Sequence, residues 1–82
     1  MNVTIRTRSD YKIIETTHAK TLFVDDIPLA VIIFMNGNWS AYKADGLDER
    51  QEYRVNEFLN EYWNTTRVYV KPLEWLANVL QS

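Results

Sequence analysis

Eighty-two residues, 46 % of them hydrophobic, are enough for one small domain with a core, although a domain of this size buries only about 60–65 % of its unfolded surface. The chain has no cysteine, one histidine and two glycines, which excludes disulfides, thiolate metal sites and a phosphate-cradling glycine loop. Net charge is −2 and the pI about 5.2, without the basic excess that nucleic-acid surfaces carry.

Met1–Arg6 shows no apolar signal core. The longest apolar run, Leu29–Met35, is far shorter than the roughly 20 residues that span a bilayer. The expectation is a cytoplasmic, soluble chain with no membrane contact. Residues 1–43 hold five Lys/Arg against four Asp/Glu, and residues 44–82 hold four against seven. The second half is therefore mildly acidic.

In chain order, Asn2–Thr7 alternates with Val3 and Ile5 on one side and Thr4 and Arg6 on the other, as a strand does. Arg8-Ser9-Asp10 reads as a turn and Tyr11–Thr17 as the returning strand. His18-Ala19-Lys20 separates it from Thr21–Val24. Asp25-Asp26 reads as a two-residue turn into Ile27. Leu29–Met35, uninterrupted and rich in β-branched residues, predicts the central strand of an antiparallel sheet. Asn36-Gly37 follows at once, the strongest short hairpin signal, since both central positions of a type I′ turn need positive φ. A two-residue loop pairs Phe34 with Trp39, Ile33 with Ser40, Ile32 with Ala41 and Val31 with Tyr42. Both faces of this strand are apolar, as in a strand covered on two sides. Two short helices are a thin cover for two faces, so either the N-terminal strands curl over one face or another molecule, as in a homodimer, covers it.

Gly46 closes the sheet segment. Asp48 with Gln51 three residues later forms a variant of the capping box and opens a helix over Asp48–Trp63. Val55, Phe58, Leu59, Tyr62 and Trp63 make an apolar stripe roughly 140° wide. Thr66–Val70 predicts a short strand. Pro72 suits a helix start, and Leu73, Leu76, Ala77 and Leu80 form the core face of that helix. The expected architecture is α+β in a single domain, 1–82. A small antiparallel meander with the Asn36-Gly37 hairpin is packed by one amphipathic helix, then a short strand and a short C-terminal helix. The small, motif-poor α+β pattern is compatible with accessory proteins of bacteria and their phages or plasmids.

Conventional chemistry finds few footholds. His18 has no nucleophile or second histidine at useful spacing. Asp25-Asp26 lacks the repeated acidic spacing and glycine of a calcium loop. Asp45, Asp48, Glu49 and Glu52 are explained by the dipole at a helix start. The reading is a non-enzymatic binding or regulatory module with no catalytic residue, metal or cofactor, docking an unidentified protein partner. Tyr53, Asn56 and Asn60 supply a polar strip on the outer face of the first helix, and Trp75 a second anchor. The alternative is a single-stranded nucleic-acid binder in which Trp39 and Tyr42 stack bases and Arg6 and Lys43 meet phosphates; the missing positive excess argues against it. Phe34 and Trp39 are expected as a cross-strand core pair under the helix.

Overall fold

A computed structural model describes residues 2–81, with side-chain surroundings for residues 2–79. Six strands, β1 Thr4–Thr7, β2 Tyr11–Glu15, β3 Ala19–Val24, β4 Ile27–Met35, β5 Asn38–Ala44 and β6 Tyr69–Lys71, form one sheet in sequential order. Helix α1, Glu49–Tyr62, lies between β5 and β6, and α2, Leu73–Gln81, follows β6. The first five strands run antiparallel, whereas β6 joins β5 in parallel, Tyr42 beside Tyr69 and Ala44 beside Lys71. A parallel neighbour requires a crossover, and α1 is that crossover. The expected α+β class is the observed one.

The β4–β5 hairpin has the register that its turn dictates, with Phe34 opposite Trp39 and Val31 opposite Tyr42. Asn36 and Gly37 both take positive φ, +54° and +82°. Asp25 and Asp26 do the same at +52° and +66°, so both tight turns that flank β4 are type I′. Helix α1 starts as its cap requires. The Asp48 carboxylate accepts from the Gln51 backbone N–H at 2.8 Å, and the Asp48 N–H donates to the Gln51 side chain at 2.9 Å.

The sheet separates two layers. Tyr11, Ile13, Leu22, Ala30, Ile32 and Ala41 share a face by register, and α1 covers it with buried Val55, Phe58 and Leu59. Thr21, Val31 and Tyr42 point the other way, where α2 packs on β4 and β5 through fully buried Leu76. These are called the α1 face and the α2 face below. The second apolar face of β4 is thus closed in part by the chain's own C-terminal helix.

Several boundaries and roles move. The strand expected at Thr66–Val70 begins at Tyr69, because the Arg67 N–H is turned back onto the Thr65 hydroxyl at 2.9 Å. β2 stops at Glu15, since Thr16 N–H bonds Ala19 across the turn that carries His18. Leu73, expected in the core, is 40 % exposed; Ala77 is half-buried, and the Leu80 side chain lies outside the described residues. Phe34 and Trp39 do pair, with ring centres 5.4 Å apart. They are not core, however, at 37 % and 48 % exposed, because the end of the hairpin projects past the buried stripe of α1.

Candidate functional site

The two ends of α1 present different chemistry. At the N-terminal end Asp10, from the β1–β2 turn, accepts from Arg50 Nη1 at 2.9 Å and from Arg54 Nε at 3.2 Å. Its second oxygen stands 3.1 Å from Arg54 Nη2, an ion-pair contact without hydrogen-bond geometry, so that oxygen is buried with no hydrogen-bond partner among the described residues. Arg50 also donates to Asp25 in the β3–β4 turn, and the Asp25 N–H bonds the Asp10 carbonyl at 3.0 Å. Arg54 further lies over the Tyr11 ring at 4.8 Å. Hydrogen bonds from Arg54 and Arg50 outweigh desolvation and hold the Asp10 carboxyl below its ordinary value of 3.8. Asp25 and Asp26 diverge, the latter toward Lys12 at 3.4 Å. This end is a clamp that ties two hairpin turns to the first turns of α1.

At the C-terminal end an open cleft of about 440 Å³ lies between α1 and the sheet, lined chiefly by Trp39, Tyr62, Trp63, Ile32, Lys20 and Glu15. That volume is in the range of small recognition pockets. The Trp63 indole is fixed because its N–H donates to the Arg67 carbonyl at 3.1 Å. Lys20 lies 4.0 Å from the Tyr62 ring centre and 3.6 Å from Glu15. Burial pushes the Tyr62 hydroxyl above its ordinary pKa, with the Glu61 charge adding to it. His18 stands beside Phe34, ring centres 6.0 Å apart. Around the corner of Trp63, Asn60, Asn64, Thr65 and Thr66 line a shallower hollow of about 310 Å³.

Tyr53, Asn56 and Asn60 are all exposed on the outer side of α1, as the wheel predicts. Asn60 reaches the aromatic end through Trp63. Trp75 belongs elsewhere: it is half-buried on the α2 face, 4.7 Å from the Tyr42 ring and 5.4 Å from Lys71 Nζ. The four nucleic-acid candidates are dispersed. Tyr42 packs under α2 between Tyr69 and Trp75. Lys43 is held by Glu52 at 3.2 Å, and Arg6 by Glu61 at 3.7 Å. Trp39 alone of the four borders the cleft.

Sequence reasoning passed over Trp63, Tyr62 and Lys20 as recognition residues, since helical spacing assigned the first two to the core. The available signal was that the stripe reaches the last turn of the helix, where cover runs out. No family model, no curated protein and no solved structure matches the chain. Among the described residues no group of His, Asp or Glu is arranged to hold a metal ion, and no helix is long and apolar enough to cross a membrane.

Proposed function

We propose that the chain is a non-enzymatic binding module that docks a protein partner along the outer face of α1, from Tyr53 through Asn56 and Asn60 to the aromatic cleft. The observation that carries this reading is the exposure of Trp39 beside the cleft it shares with Trp63 and Tyr62. Leaving large aromatic surface in water is unfavourable by roughly 25 cal/mol per Å², and aromatic side chains around an open hollow are the usual anchors of an interface. The uncharged asparagine rim adds hydrogen-bond capacity without desolvating a charge. Self-association belongs to the same reading, since Ile5 of β1, on the α2 face, and Val3 before it are exposed.

The test is quantitative capture from the native host on tagged protein, with and without nuclease. Trp39→Ala and Asn60→Ala lose the partner while unfolding within a few degrees of the wild type. Trp75→Ala lowers the unfolding temperature, because it removes packing against Tyr42. Equal recovery of the partner by Trp39→Ala, Asn60→Ala and Tyr53→Ala would overturn the proposal. Recovery of nucleic acid with no protein would favour the dispersed basic residues instead.

A further inference from the structure

β1 is an edge of the sheet, and all four of its residues are exposed. Along an antiparallel strand, alternate residues direct their N–H and C=O groups to opposite neighbours. The Arg8 N–H donates to the Tyr11 carbonyl at 2.8 Å, so Arg8 addresses β2. By alternation Arg6 and Thr4, in register with Ile13 and Glu15, address β2 as well. The backbone groups of Ile5 and Thr7 therefore point away from the sheet, with Val3 next in the same line. Among the described residues no strand lies beyond them. Such an open row is a template for another strand.

The side chains select which strand. Ile5, opposite Ile14, lies on the α2 face at 59 % exposure, and Val3 is 50 % exposed. Inward across the next three strands, Ile14 of β2, Phe23 of β3 and Ile33 of β4 border an open apolar hollow of about 360 Å³ on that face. Arg6 projects to the α1 face, where Glu61 holds it.

We propose that β1 pairs antiparallel with β1 of a second copy, about a two-fold axis through Ile5. The inference rests on the self-association part of the proposed function and fixes its place. In this register Ile5 meets Ile5 and exchanges two backbone hydrogen bonds, while Thr7 meets Val3 on either side. Apolar and β-branched side chains then adjoin on the α2 face, a favourable cross-strand set. On the α1 face Arg6 falls opposite Thr4, so the two guanidinium groups are never directly opposed. An axis through Arg6 would oppose those charges and aim backbone groups that β2 already uses. The self-complementary pattern is why the occupant is a second copy and not an unrelated peptide. A contact of about five residues a side is well below a standard specific interface, so the dimer forms at high concentration and dissociates on dilution.

The experiment is amide hydrogen exchange on the unaltered chain across a wide concentration range, alongside sedimentation. The expected result is that the Ile5 and Thr7 amides gain protection in step with the dimer fraction, while Thr4 and Arg6 do not change. Ile5→Pro removes an outward donor without touching the β1–β2 ladder and weakens the dimer at least about tenfold. A chain that stays monomeric at millimolar concentration overturns the inference. So does a dimer whose Ile5 amide shows no concentration dependence, and in that case self-association stands but at another surface.

Discussion

At the N-terminal end of α1, Asp10, Asp25, Arg50 and Arg54 join two hairpin turns to the helix through charge; at its C-terminal end Trp39, Tyr62 and Trp63 stand around a space that no described residue fills. The turns that flank β4 show the same contrast. The hairpin at the aromatic end uses Asn36-Gly37, the residues that take positive φ most readily. The clamp end uses Asp25-Asp26 in the same backbone shape, at a local cost, and gains the carboxylate that Arg50 grips. One end is organised for holding the fold together. The other leaves aromatic side chains partly exposed.

That contrast can be broken from the core outward. Phe58→Ala removes the largest fully buried side chain among the described residues, on the inner face of α1, and should cost about 3–5 kcal/mol in a denaturant titration, with Ile32→Ala close behind at roughly 2–5 kcal/mol. Losses well under these would mean that α1 does not seal the sheet as described.

Arg54→Met removes the Arg54 hydrogen bond and ion pair to Asp10 and should lower the urea midpoint at neutral pH. The sign with pH follows from Asp10. Its folded pKa is depressed, so the unfolded state binds the proton more readily. The clamp's contribution is present above the unfolded carboxylate value and is lost as pH falls through the folded one. The stability gap between wild type and Arg54→Met should therefore narrow as pH falls from about 4 through the depressed Asp10 value, and a gap that does not narrow there would contradict the electrostatic account. Asp26→Gly sharpens the comparison between the turns. Asp26 sits at φ +66° and contributes only an exposed ion pair with Lys12, so glycine should raise stability by about 0.5–1 kcal/mol. At the open end, Trp39→Ala should change stability by no more than about 1 kcal/mol, far less than a buried tryptophan would.

Local chemistry was readable in the sequence. The Asn36-Gly37 turn fixed the β4–β5 pairing residue by residue, and Asp48 with Gln51 fixed the start of α1. What stayed hidden depends on residues far apart in the chain. Arg54 and Asp10 are 44 positions apart, and no periodicity announces their meeting. The parallel placement of β6 and the path of α2 to the opposite face follow from where the sheet has room, not from local propensity. Trp39 was misplaced for a related reason. Strand alternation gives the face a residue lies on, but not whether the helix above extends far enough to cover it. The polar strip at Tyr53, Asn56 and Asn60 was legible from the wheel, whereas its continuation into the cleft through Trp63 required the helix end to be seen against the sheet.

The most direct test of the claim that the aromatic end is kept open for a partner is partner capture by Trp39→Ala relative to wild type, measured on protein of matched folding. The account predicts an unfolding temperature close to wild type and a loss of capture of at least about tenfold, as for truncation of an interface anchor. Undiminished, nuclease-resistant capture by Trp39→Ala would contradict it.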